Sequence, residues 1–156
     1  MLDQLPKNGV VMEVGTQRGD FARAILERAT PRELRLVDIN YSLFDDKDLT
    51  GDAVTRHCGM SHEVIGSFPD EHFDWIYIDA DHSYEATLRD ACASAPKLKP
   101  GGFLVFNDFA HIDSELGRYG VHRAVTNFAL ERNWRFALFA FSPDALYDVA
   151  LQKGGA

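Results

Sequence analysis

The sequence predicts a doubly wound α/β domain, with a mainly parallel sheet, helices on both faces and an antiparallel C-terminal hairpin. Three observations carry this reading. Short apolar runs alternate with amphipathic stretches, a turn with a glycine at each end follows the first run, and the last two strand-like runs have no helix between them.

Val10-Val11-Met12-Glu13-Val14 reads as the first strand, stopping at Gly15. Asp20 is placed to cap the next helix, whose apolar face is Phe21, Ala24, Ile25 and Leu26. Leu34-Arg35-Leu36-Val37-Asp38 is a second strand ending in an acid. Residues 41–52 are polar with few apolar anchors and read as a loop or loose helix. A weak third strand over 53–58 and a short helix over 61–68 follow. Residues 73–79 form a strong fourth strand, and 84–95 a helix. Pro100-Gly101-Gly102 is turn chemistry. It leads into Phe103-Leu104-Val105-Phe106, a fifth strand whose lack of alternation implies burial on both faces. Residues 113–120 read as a polar loop and 121–132 as a helix. Strands over 134–141 and 145–151 flank a Ser142-Pro143-Asp144 turn, making seven in all.

At 156 residues and 46% hydrophobic composition, the chain is one domain with a sizeable core. A net charge of −8 and the lack of any basic cluster argue against nucleic acid as partner. Cys58 and Cys92 read as buried thiols of a reducing compartment, not as a disulfide framework. No apolar run approaches the roughly 20 residues of a membrane span. The Met1-Leu2-Asp3-Gln4 start lacks the layout of a signal peptide, so a cytoplasmic protein with no membrane partner is expected.

Ligands of open α/β sheets bind beyond the carboxyl ends of the strands. There the chain carries Glu13-Val14-Gly15-Thr16-Gln17-Arg18-Gly19-Asp20. The nicotinamide fingerprint needs glycines where Gln17 and Asp20 stand, and a phosphate loop needs Lys and Ser or Thr after Gly19. Glu13 and Asp20 would repel a pyrophosphate and suit a ligand bearing an ammonium and a sulfonium. Asp38, at the second strand exit, is placed to accept hydrogen bonds from ribose hydroxyls.

The chain resembles the class I methyltransferases through Glu13-Val14-Gly15 with Gly19, Asp38, the run Ile78-Asp79-Ala80-Asp81-His82-Ser83-Tyr84, and Leu98-Lys99-Pro100-Gly101-Gly102. Within them it is similar to small-molecule O-methyltransferases of the macrocin and catechol type, which carry an aspartate-x-aspartate-histidine signature after the fourth strand. The resemblance implies a Rossmann-like, seven-stranded fold and S-adenosylmethionine as methyl donor. It places Glu13, Gly15 and Gly19 around the methionine portion, Asp38 on the ribose, and Met60 and Ser61 near the adenine, with Thr16, Ile39 and Asp79 completing the set. Met60 stands where such enzymes often carry an acid.

Asp79 ends the fourth strand and Asn107-Asp108 the fifth, so three oxygen donors of the type that holds magnesium, manganese or calcium can converge. His82 is the preferred base, since its ordinary pKa of roughly 6.5 lies near working pH, with Asp81 and His111 as further candidates. The expected acceptor is a small molecule, and the alternative is a cofactor-binding partner subunit without activity. With the first strand beginning at Val10, no upstream helical segment is expected to cap the acceptor pocket. Residues 113–120, with Arg118 and Tyr119 at the tip, are the only internal lid. Either the pocket is open and accepts something large, or a second subunit supplies the missing wall, and a homodimer is the more economical expectation.

Overall fold

The computed structural model describes residues 1–113, 117–141 and 147–154. The sheet runs in the order β3-β2-β1-β4-β5-β9-β8. Its strands are β1 (Val10–Val14), β2 (Glu33–Asp38), β3 (Val54–Cys58), β4 (Phe73–Ile78), β5 (Leu98–Phe106), β8 (Arg135–Phe141) and β9 (Tyr147–Gln152). The first five pair in parallel. β9 enters antiparallel between β5 and β8. This is the doubly wound sheet with an antiparallel finish that the alternation predicts.

The helices are α1 (Asp20–Ala29), α2 (Ser61–Gly66), α3 (Tyr84–Lys97) and α4 (Val121–Arg132). α1 and the 3-10 turn Leu2–Gln4 bury Ile25, Leu2 and Leu5 against one face, around Val11, Leu36 and Trp75. α2, α3 and α4 bury Ile65, Ala91, Val125 and Phe128 against the other, around Met12, Ile76 and Leu104. All five residues of β1 are buried, as a central parallel strand requires. The Trp75 indole N–H donates to the Pro6 carbonyl at 3.1 Å, so its polar atom is satisfied in the core.

Asp74 ties three strands together. Its carboxylate accepts the Val10 N–H at 2.7 Å and both its oxygens lie 2.7 Å from Lys99 Nζ. Burial of Asp74 opposes ionisation, but Lys99 and the Val10 N–H together hold the carboxyl below its usual range.

Several elements depart from the sequence reading. Asp20 is not the cap of α1. Gly19, in the left-handed region at φ 84°, is the cap residue, and Asp20 is already helical with its carboxylate 3.1 Å from Arg23. Pro100-Gly101-Gly102 lies inside β5, because Leu98 already pairs with Phe73; Gly101 at φ +77° accompanies a register shift between Phe73 and Trp75. α3 runs on through Pro96 to Lys97. Residues 41–52 contain turns and no helix, and Phe44 and Leu49 join the core beside α1. Cys58 and Cys92 are unpaired but exposed, not buried: one ends the outer strand β3, the other lies on the solvent side of α3. The Ser142-Pro143-Asp144 turn falls outside the described residues. Among those described, no helix is long and apolar enough to cross a membrane.

The expected loop over 113–120 holds a small ladder between β6 (Ile112–Asp113) and β7 (Gly117–Arg118); the Arg118 side chain lies outside the description. This segment is seated on the β4–α3 connection by Gly120, whose N–H donates to the His82 carbonyl at 2.8 Å. A Cβ on Gly120 would stand 2.1 Å from the Tyr84 nitrogen. Gly120→Ala must therefore push the two segments apart. A loss of about 1–3 kcal/mol, the usual cost of overpacking, is expected in urea unfolding.

Candidate functional site

The site forms where the carboxyl ends of β1, β2 and β4 meet. Gly15 leaves β1 at φ +88°, and its N–H donates to the Val37 carbonyl at 2.8 Å. A Cβ there would lie 1.8 Å from the Asp79 carbonyl oxygen. Only glycine lets the turn rest directly on the exit of β4. Gly19 closes the turn, with Leu49 and Phe44 packed where its Cβ would be. Beyond this turn opens a cavity of about 570 Å³ whose wall includes Glu13, Asp38, Met60, Asp79 and His82. That size and shape suit a small-molecule ligand.

Glu13, Gly15, Thr16, Asp38, Ile39, Met60, Ser61 and Asp79 all line this cavity. Gly19 lies behind it, shaping the turn. Each Asp38 oxygen accepts one backbone N–H, from Gln17 at 2.8 Å and Asn40 at 3.1 Å, which fixes the carboxylate and leaves further lone pairs for hydroxyl donors. Ile39 and Met60 are 63% and 43% exposed, an apolar pair suited to a flat ring. The Ser61 hydroxyl turns away and donates to Asp90 on α3 at 2.6 Å. Glu13 is only 1% exposed, and its Oε2 has no hydrogen-bond partner; neither has the hydroxyl of buried Thr16. Burial, and then the charges of Asp79 and Asp38, push the Glu13 carboxyl well above its ordinary range.

The other side of the cavity centres on His82. Its Nε2 is buried without a hydrogen-bond partner, 3.4 Å from Asp79 Oδ1 and 3.9 Å from Asp108 Oδ2. Burial is the largest effect on this imidazole and lowers its pKa. Asp79, Asp108 and Asn107 outweigh it, so the net displacement is upward. The Tyr119 ring stacks on His82 at 4.6 Å, and His111 packs against Tyr119 at 4.7 Å. Asp81, the second candidate base, accepts the Ser83 N–H at 2.8 Å; this bond and the Ser83 side chain hold its carboxyl low, which makes it the weaker base.

Of the expected metal set Asp79, Asn107 and Asp108, the two carboxylates both approach His82. Among the described residues, no group of three or more His, Cys, Asp or Glu is placed to hold an ion. The His82 nitrogen stands between the two carboxylates, and the Asn107 amide is committed elsewhere. Its Nδ2 donates to Tyr77 Oη and to Asp148 Oδ1, both at 3.1 Å, while Tyr77 Oη donates to Asp148 Oδ2 at 3.2 Å. Asp148, on β9, carries no motif around it, and the sequence reading missed it. Asp108 sits at φ 52°, and burial raises its carboxyl against the pull of His82 and His111.

A family model described as a methyltransferase domain matches residues 12–109, more than half the chain. No curated protein matches by sequence. Among solved structures, the chain is similar to a SAM-dependent methyltransferase from Aquifex aeolicus (15% identity, TM-score 0.72, covering 96% of this chain and 85% of that one). It is also similar to 1,6-didemethyltoxoflavin-N1-methyltransferase from Burkholderia thailandensis, solved with 1,6-didemethyltoxoflavin and S-adenosylhomocysteine (15%, 0.70, 95% and 72%). A third, the pyocyanin biosynthetic protein PhzM, aligns at 16% identity and TM-score 0.72 over 95% of this chain and 51% of its own. The chain thus spans about half of PhzM. At such identities the likeness shows the fold.

Two outcomes test this geometry. Gly15→Ala drives a methyl into the Asp79 carbonyl and is expected to abolish calorimetric binding of S-adenosylhomocysteine. Asp108→Asn removes one of the charges that favour the imidazolium, so the His82 pKa is expected to fall. The NMR titration of its ring protons reads this directly.

Proposed function

The chain belongs to the methyltransferase-domain family, and from that premise we propose that it transfers the methyl group of S-adenosylmethionine to the hydroxyl oxygen of a small molecule. The carrying observation is the buried, unpartnered His82 nitrogen set between Asp79 and Asp108 at the cavity wall. The cofactor supplies a methyl group activated by its sulfonium. Gly15 admits it to the turn, Asp38 accepts from the ribose, and Ile39 with Met60 flank the adenine.

His82 takes the hydroxyl proton as the oxygen attacks. The new bond is oxygen to methyl carbon, the broken one is carbon to sulfur, and its electron pair leaves with S-adenosylhomocysteine. Asp79 and Asp108 stabilise the resulting imidazolium. Tyr119 orients the ring by stacking. Holding donor and acceptor in line is the main contribution of the protein.

The test is formation of S-adenosylhomocysteine from S-adenosylmethionine across phenolic and sugar acceptors. Turnover is expected to rise with pH as His82 loses its proton. His82→Ala is expected to lower it by about 10²–10⁴-fold while S-adenosylhomocysteine affinity stays nearly intact. A parallel loss of cofactor affinity in that variant contradicts the role. Cofactor binding with no acceptor methylated favours the inactive-partner alternative.

A further inference from the structure

Glu13 has a feature that the methyl-transfer chemistry does not use. It sits on the central strand, with Leu36 and Tyr77 as its neighbours in register on either side, and it is almost wholly buried. The residue lines the cavity, and its buried Oε2 has no hydrogen-bond partner. A buried carboxyl with one unpartnered oxygen and no cation facing it is costly in its charged form, and a neutral carboxylic acid is the usual resolution.

The charged groups around the cavity reinforce this. Asp38 at the end of β2 and Asp79 after β4 both act on Glu13 as like charges, and the side chain of Thr16 alone favours its ionised form. The cations of the cavity face elsewhere. Arg18 is largely exposed and 4.0 Å from Asp20, while Arg89 on α3 acts on Asp81 and Asp90. His82 faces Asp79 and Asp108. Among the described residues, no positive group faces Glu13.

The expected cofactor brings what is missing, since S-adenosylmethionine carries an ammonium and a sulfonium and S-adenosylhomocysteine an ammonium. We propose that Glu13 is a proton-linked charge selector: it is a neutral acid in the free protein and releases its proton to solvent when a cationic ligand enters the cavity. This rests on the cofactor assignment. Selection follows because a ligand without the cation cannot replace the proton. The sign is fixed by the same exchange. Affinity rises with pH while the free protein holds the proton and the complex does not, at most about tenfold per pH unit for one proton. It levels off once the free protein has lost that proton.

The experiment is calorimetric titration with S-adenosylhomocysteine at pH 6 to 7 (roughly; below the ligand's own amine pKa of about 8) in buffers of different ionisation enthalpy. The expected result is a binding heat that depends on the buffer with the sign of proton release. In Glu13→Gln the dependence disappears and affinity becomes independent of pH over that range. The same titration with 5′-methylthioadenosine, which lacks the ammonium, is expected to release no proton. Infrared difference spectra of the unaltered protein cover the case of an unstable variant, and a protonated-carboxyl band is expected to vanish on adding S-adenosylhomocysteine. Binding with equal heats in all buffers and an unchanged carboxyl band overturns the proposal and leaves the cofactor assignment standing. Proton release that persists in Glu13→Gln, as from His82, also overturns it. A complete absence of S-adenosylhomocysteine binding overturns both.

Discussion

The contact between the Gly15 turn and the Asp79 carbonyl is the constraint on which the rest of the site depends. A side chain at position 15 would overlap that oxygen, and the absence of one lets the first turn lie flat on the exit of β4. From this closeness follow the positions of Glu13 just before the turn, of Gln17, whose N–H fixes Asp38, and of Asp79 beside His82. One short contact between backbones thereby sets the spacing between the Asp38 side of the cavity and its His82 side.

The cavity is electrostatically lopsided. Asp38, Asp79 and Asp81 face it, and the two arginines in its wall engage other partners. Such a field disfavours phosphate-bearing nucleotides and favours a nucleoside with positive charge on its amino-acid tail. The acceptor side uses the same carboxylates differently. There Asp79 and Asp108 raise the basicity of one imidazole, and His82 in turn tempers Asp108. Asp79 is shared between the two halves, acting on Glu13 and on His82 alike.

The order of the strands and the glycine turn are legible in the sequence because they depend on local pattern: apolar runs, their period, and glycines at fixed offsets. The residues that line the cavity follow from the rule that ligands sit at strand exits. What local pattern misses is set by partners distant in the chain. Pro100-Gly101-Gly102 has the composition of a turn, and only the pairing of Leu98 with Phe73 makes it part of a strand. Ser61 and Asp81 have suitable chemistry but are turned toward Asp90 and the Ser83 N–H. The approach of His82 to Asp79 and Asp108, and of Asp148 to Asn107, is invisible until the sheet is assembled. Asp148 sits in an ordinary strand, 41 residues from the Asn107 it binds.

The place of β9 has a consequence for how the molecule is made. This strand is the last element of the sheet to be synthesised, yet it lies inside, between β5 and β8, with Val149, Ala150 and Leu151 fully buried. Until it leaves the ribosome, β5 is an unpaired edge, and Asn107 lacks the carboxylate that fixes its amide. The half of the cavity built from β1, β2 and β4 needs nothing from β9. A nascent chain can thus complete the half of the cavity around Gly15 and Asp38 before the half that leans on Asn107 and Asp148.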